Sequence, residues 1–196
     1  MKQKLEILCL SILISAFSYA APIKDTLDYI SWEEALEIED PLSVEAIDFS
    51  KLKLDSLPLA LKNYKNIKGL KLTKNKLTYL PDFFKEFKSL EYLHLNKNNF
   101  EVFPYQVFHL FNLKYLDLSK NELRNIPAGI KSLQKLLYLD LWSNKFSSFP
   151  DELAELQQLQ FIDARGRTYS PTFVESWYDK LPNTTIKFEK PCKCLE

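Results

Sequence analysis

The chain has 196 residues, of which 46% are hydrophobic and only three are glycine, so it has room for one packed domain and few flexible linkers. Its 26 basic and 26 acidic side chains balance, which excludes a globally basic protein built to bind nucleic acid or anionic membranes. Any charged binding surface must therefore be local.

Residues 1–20 have the three parts of a secretory signal peptide. Lys2 and Lys4 give a weakly basic start, residues 7–17 are an apolar run, and Ala20 is the small residue that a signal peptidase prefers. The apolar run is shorter than the about 20 residues that a membrane-spanning helix needs. We expect cleavage near Ala20 and a secreted, periplasmic or cell-surface location, with no stable membrane span. The alternative is an ordinary buried helix.

Residues 21–43 are predicted to form an N-terminal cap. Ser31 and Glu34 have the spacing of a capping box, which predicts a helix that begins after Ser31 and ends at Asp40, before Pro41. An amphipathic helix at this place can cover the hydrophobic side that the first unit of a repeat array leaves bare.

Residues 44–158 contain one pattern five times. Each 23-residue unit reads roughly L-x-x-L-x-L-x-x-N-x-L-x-x-L-P-x-x-L-x-x-L-x-x, and the units start at Val44, Ile67, Leu90, Leu113 and Leu136. Alternation predicts a strand at positions 3 to 7 of each unit, with positions 4 and 6 in the core and positions 3, 5 and 7 in solvent. The asparagine at position 9 is expected to satisfy backbone groups of its own and the next coil, and the proline at position 15 to start a short convex segment.

Residues 159–190 are interpreted as a degenerate sixth repeat and a C-terminal cap, with a helix over residues 173–181 and a last strand over residues 184–189. The tail, residues 191–196, contains Cys192 and Cys194. Once Cys9 leaves with the signal peptide, this even number of cysteines fits an oxidising compartment. The pair is interpreted as locally bridged or unbridged, and an intermolecular bridge is the alternative.

The pattern resembles the leucine-rich repeat, in the 23-residue form of many secreted and surface bacterial proteins. The resemblance includes the Leu-Pro step, as at Leu57-Pro58 and Leu80-Pro81. It implies an α/β solenoid: a right-handed horseshoe arc with a concave parallel β-sheet, short convex helical segments, an N-terminal helical cap and a C-terminal helix–strand cap. It also implies protein–protein recognition as the default role.

Solvent-facing strand positions should form columns on the concave face, about 4.8 Å apart from coil to coil. In the last four coils, position 3 is aromatic and position 5 has three aspartates. Position 7, beside them, includes a tryptophan and an arginine. The residues predicted to bind a partner are Tyr92, His94, Tyr115, Asp117, Tyr138, Asp140, Trp142, Phe161, Asp163 and Arg165. Tyrosine and tryptophan are frequent in binding hot spots, and neighbouring aspartates should raise one another's pKa, which favours a partner surface with Lys or Arg. Alternatively, the tyrosine and aspartate columns are ordinary sheet surface.

A further column, at position 8, contains Lys51, Lys74, Lys97 and Lys120. It is interpreted as a solvated rim, and the alternative is a surface for an acidic glycan or a lipid headgroup.

The sequence contains no catalytic, phosphate-binding or zinc motif, so we expect no enzyme activity, no cofactor and no metal. We expect a secreted or surface-associated monomer that binds another protein through its concave face. The alternative is a structural or envelope module that associates with itself, and a carbohydrate- or Ca²⁺-binding surface is less favoured.

Overall fold

A computed structural model describes residues 24–189 of the protein. The signal peptide predicted at residues 1–20 and the tail with Cys192 and Cys194 lie outside the described residues. Within them, no helix is long and apolar enough to cross a membrane.

Eight short parallel strands form one sheet in chain order. The strands are β1 (Ile30–Ser31), β2 (Ala46–Asp48), β3 (Gly69–Lys71), β4 (Tyr92–His94), β5 (Tyr115–Asp117), β6 (Tyr138–Asp140), β7 (Phe161–Asp163) and β8 (Thr185–Lys187). From β2 to β7, residues 23 positions apart lie opposite each other. In a solenoid each strand pairs with the next strand along the chain, so this strand order confirms the predicted solenoid.

The strands contain three residues in each repeat, not the five that alternation predicts. The hydrogen-bond ladder nevertheless continues beyond them, since the N–H of Lys97 donates to the carbonyl of Ser119 at 2.9 Å. The backbone leaves extended geometry at position 8, where Lys97 has a φ of 57°. This left-handed residue lies three positions after the last residue of β4 and turns the chain out of its extended course.

Short 3-10 turns form the convex side of the five repeats. They are Leu59–Asn63, Asp82–Glu86, Tyr105–His109, Ala128–Ser132 and Asp151–Glu155. The repeat's proline directly precedes each turn, as in Pro81 before Asp82 and Pro150 before Asp151. Five residues are enough for one 3-10 segment, which explains why the predicted helical segments stay this short.

The core lies between the sheet and these turns, and the asparagines of position 9 hold its edge. Asn98 is 5% exposed, and its Nδ2 donates to the carbonyls of Leu95 and Leu72 at 3.0 and 2.9 Å. Its Oδ1 accepts from the N–H of Leu77 at 3.1 Å. The asparagine therefore connects its own coil to the preceding coil. The prediction that it would bond to the next coil was wrong, because the side chain points back along the solenoid.

Both ends carry the predicted caps, with altered boundaries. Helix α1 (Trp32–Leu36) begins at the predicted capping box between Ser31 and Glu34 but ends before Asp40. Because Leu36 is 53% exposed, little packing supports a longer helix. Helix α2 (Pro171–Lys180) begins two residues earlier than predicted, at the Ser170-Pro171 step, where Ser170 caps the N–H of Phe173.

Candidate functional site

The concave face has an aromatic column of four rings, one per coil, and it is tightest in its second part. The rings of Tyr115 and Tyr138 lie 4.5 Å apart at 7°, and those of Tyr138 and Phe161 lie 4.7 Å apart at 13°. Tyr92 is less closely packed, at 6.3 Å and 32° from Tyr115. The three stacked rings on β5, β6 and β7 therefore form a continuous half-buried surface. At its end, the Lys187 ammonium lies 5.0 Å from the centre of the Phe161 ring.

Next to the rings lies a row of charged residues at position 5. From β4 to β8 the row reads His94, Asp117, Asp140, Asp163 and Lys187, so three aspartates stand between two basic residues. The carboxylates also have a local role, because each accepts a hydrogen bond from the backbone N–H two residues later: 2.9, 2.9 and 3.1 Å in chain order. Such bonds form Asx turns at the strand ends. Part of the acidic row is therefore explained by the fold.

The middle aspartate of this row is the least compensated. Burial raises the pKa of Asp140 to about 7, with help from the charges of Asp117 and Asp163 and against the N–H of Trp142. Burial also raises the pKa of Asp117. Within the described chain Asp163 alone of the three has an ion pair, at 2.5 Å from Arg165. The predicted mutual repulsion is thus present at Asp140, but it is second to burial.

Trp142 stands at the edge of this surface. It is 37% exposed, and the ammonium of Lys120 lies 4.4 Å from the centre of its ring. Large aromatic side chains with one free side offer rigid contact area to a partner.

The N-terminal segment, residues 24–29, covers the other part of the concave face. Tyr29 and Leu27 lie over Gly69, so closely that a Cβ on Gly69 would lie 2.4 Å from the Tyr29 hydroxyl and 2.6 Å from Leu27 Cδ1. The ammonium of Lys71 lies 3.5 Å from the centre of the Tyr29 ring. Tyr29 thus fills, over β3, the place that a tyrosine of the repeat itself fills in the next coil.

Asp25 attaches this segment to β4. Its carboxylate accepts from the Tyr29 hydroxyl at 2.6 Å and lies 3.0 Å from His94 Nε2. Burial by itself would raise the pKa of Asp25, but the hydrogen bonds from Tyr29 and His94 outweigh it, and the pKa is lowered. The ionised carboxylate is therefore the form that holds the segment in place.

This cover changes the predicted site. Position 3 was expected to face solvent in every coil, but Ala46 is 2% exposed and Gly69 is also buried. His94, a predicted partner contact, is already bound to Asp25. The structure brings the other predicted residues together on β4–β7 and the positions that follow them. The signal that could have revealed the cover is the small residue at position 3 of the first two coils, where later coils have an aromatic ring.

Among residues 24–189, no three His, Cys, Asp or Glu side chains lie close enough to hold a metal ion. The site offers instead a rigid aromatic platform, a carboxylate with a raised pKa and a guanidinium, which are groups suited to binding.

The comparisons with known proteins agree on the repeat. A family model for leucine rich repeats matches residues 111–166, the coils that contain the stacked rings. No curated protein shows detectable sequence similarity to the chain.

Two solved structures are among those similar to this chain. One is the leucine-rich repeat ectodomain of the plant membrane receptor kinase GASSHO1/SCHENGEN3 from Arabidopsis thaliana, in complex with Casparian strip integrity factor 2; it is 27% identical over 74% of this chain and 18% of that one, with a TM-score of 0.61. The other is a leucine-rich repeat protein of Leptospira interrogans, 23% identical over 74% of this chain and 54% of that one, with a TM-score of 0.41. The chain thus spans about half of one and under a fifth of the other.

The leucine-rich repeat fold is commonly used for protein–protein recognition. The matched repeats, the continuous parallel sheet and the fold shared with the receptor ectodomain lead to one assignment. Residues 111–166 match the leucine-rich repeat family, and the described chain has the fold of a leucine-rich repeat solenoid.

Proposed function

We propose that this protein is a secreted or surface-associated binding protein that recognises another protein through the open half of its concave face. The open half consists of β5, β6 and β7 and the residues that directly follow them. The observation that carries this proposal is the stacked surface of Tyr115, Tyr138 and Phe161 beside the exposed ring of Trp142. Stacked rings are already ordered, so a partner that covers them loses little side-chain entropy on binding. They provide the apolar centre that protein interfaces need.

The charges beside the rings favour a basic partner. A Lys or Arg that approached Asp140 would meet a carboxylate whose pKa of about 7 leaves it partly protonated at neutral pH. The arriving cation would favour the ionised form, and binding would then weaken as the pH falls below about 7. His94 contributes indirectly in this proposal, because it holds Asp25 and so fixes the border of the open half.

Export is the second part of the proposal. It is supported by the basic, apolar and small-residue order of residues 1–20. The fold shared with a receptor ectodomain is consistent with it. Expression of the whole chain in a bacterial host, followed by mass determination of the exported product, tests this part: loss of about 20 residues is expected, and an uncleaved, retained chain would contradict it.

Capture experiments test the binding part. Residues 21–196 serve as bait for extracellular proteins, and the captured partner is then titrated against Trp142→Ala and Asp140→Lys. We expect each change to weaken binding by at least about tenfold, which corresponds to 1.4 kcal/mol, a typical hot-spot loss.

The matched controls are Tyr79→Ala and Asp179→Lys, which change an exposed ring and an exposed carboxylate away from the strands. They should leave the affinity within about twofold. Light scattering of each variant checks that the bait stays monomeric. If all four variants bind equally well and remain folded, the open half of the concave face is not the binding surface.

A further inference from the structure

The lysine row, Lys51, Lys74, Lys97 and Lys120, is regular in backbone as well as in sequence. All four residues are left-handed, with φ of 67°, 60°, 57° and 55°. The backbone N–H of each lysine donates to a carbonyl of the next coil at 2.7–2.9 Å. The acceptors are, in chain order, Thr73, Asn96, Ser119 and Trp142. Because backbone conformation and ladder repeat, the four side chains leave the solenoid in the same direction, about 4.8 Å apart.

These lysines are exposed, and within residues 24–189 none of the four has an ion pair. Lys53 and Lys76, two residues further along the first two coils, are also exposed and add charge to the same end of the row. Lys120 differs from the others because its ammonium rests on the Trp142 ring. The row is therefore a line of positive charge, and none of its first three members has an ion pair within residues 24–189.

Packing does not explain why lysine occupies these positions. A left-handed conformation costs a residue with a Cβ about 1–2 kcal/mol, and glycine or asparagine adopts it more easily. The sixth coil shows the easier solution, with Gly166 at a φ of 104°. Four lysines in strained conformations point to a role for their side chains outside the fold.

We propose that the lysine row binds a linear anionic polysaccharide. Such a polymer carries its charges along a line, one sugar after another, and the row offers ammonium groups along a line, one coil after another. A membrane surface would instead require a broad basic face with apolar groups that insert into it. This second binding surface is independent of the concave patch proposed for a protein partner.

Heparin, a sulfated polysaccharide, and hyaluronate, a carboxylated one, serve as probes in calorimetric titrations of residues 21–196 over a range of salt concentrations. The test variant is Lys51→Asn/Lys74→Asn/Lys97→Asn, because asparagine tolerates the left-handed conformation and the variant should fold. We expect at least about tenfold weaker binding, and the slope of log Kd against log salt should fall by about 2, since each charge contact contributes about 0.7–0.9 in other polyanions.

The matched control is Lys62→Asn/Lys65→Asn/Lys135→Asn, which removes the same charge from exposed positions on or beside the convex turns. It should change the affinity by less than about twofold if the site is the row and not the net charge. Equal losses in both triple variants would overturn the proposal, and so would failure of both polysaccharides to bind at low salt. Tighter binding to phosphatidylserine vesicles or to single-stranded DNA, lost in the same variant, would assign the row to that class of partner instead.

Discussion

The two halves of the concave face share one core and differ in what covers them. Leu70 on β3 and Leu116 on β5 are both fully buried and occupy the same position in their coils. Above the first lies the N-terminal segment of the chain itself, while above the second lies the stacked aromatic surface. The repeat thus dictates the interior of each coil and leaves its outer strand positions free to vary.

The size of the residue at position 3 marks the difference. Ala46 and Gly69 are small, and Tyr29 and Leu27 pack over the second of them. Tyr115, Tyr138 and Phe161 are large and pack against one another along the column. Small residues in such a column indicate a surface completed by the chain, whereas rings indicate a surface that can accept a partner.

The largest effect is expected where the two halves are alike, in the asparagine ladder. Asn98→Ala and Asn121→Ala each remove four hydrogen bonds and leave buried backbone groups without partners. We expect each to lower the free energy of unfolding by about 3–5 kcal/mol. Urea denaturation followed by circular dichroism measures this loss.

Asn183→Ala, at an exposed position after α2, is the control and should change stability by less than about 0.5 kcal/mol. Equal losses at Asn98 and Asn121 would show that the N-terminal segment covers the first half without supporting its core. A difference above about 1 kcal/mol between them would mean that core and cover are coupled, and the division into two layers would fail.

The ladder and the strand order could be predicted from the sequence because both depend on residues at fixed spacing in one repeat. The length of the strands could not, because the alternation continues to position 7 although the regular strands end at position 5. The left-handed turn at position 8 could not be predicted either, because Lys does not favour a positive φ as Gly or Asn does. The Asx turns of the acidic row had a signal in the sequence, an aspartate at the last residue of the strand, two residues before the N–H that it accepts from.

The small residues Ala46 and Gly69 at position 3 are a sign in the repeat that something covers these coils, but the repeat does not show which segment does so. Asp25 and His94 are 69 residues apart in the chain, and the segment lies outside the repeating units. Its only local signs are Tyr29 and Asp25 ahead of the capping box, which are compatible with an ordinary surface segment. The role of His94 as a partner contact stays a prediction, and the sequence could not show that its Nε2 already has a partner in Asp25.

Gly69→Tyr converts the covered half into a copy of the open half. The new Cβ would lie 2.4 Å from the Tyr29 hydroxyl, so the N-terminal segment must leave its place. We expect a loss of about 2–3 kcal/mol in the free energy of unfolding, from the packing of two side chains. Hydrogen exchange should become faster at the amides of residues 25–31 and stay unchanged on β6.

The double variant Gly69→Tyr/Tyr29→Ala supplies the control. It removes the ring that the new tyrosine displaces, so part of the lost stability should return, with a coupling energy of about 1 kcal/mol or more. Additive effects of the two changes, or unaltered hydrogen exchange in residues 25–31, would show that Gly69 does not hold the segment in place.

The smallest effect is expected at Asp140, and it depends on pH. Its pKa is raised to about 7 in the folded protein, so between about pH 4 and pH 7 the folded state binds more protons than the unfolded state, and stability falls as the pH rises. Asp140→Asn keeps an acceptor for the N–H of Trp142 and removes the charge. It should therefore stabilise the protein by about 1–2 kcal/mol at pH 8, after allowance for partial exposure, and change little at pH 5.

The counterpart in the covered half is Asp48→Asn. Asp48 makes the same hydrogen bond, to the N–H of Ser50 at 2.7 Å, but its neighbour in the row is Lys71 instead of a second aspartate. Urea denaturation of both variants at the two pH values separates the shared Asx turn from the charge that is special to the open half. A pH-independent change at Asp140, or the same gain at Asp48, would mean that the acidic row is ordinary sheet surface, and the case for a basic partner would lose its electrostatic support.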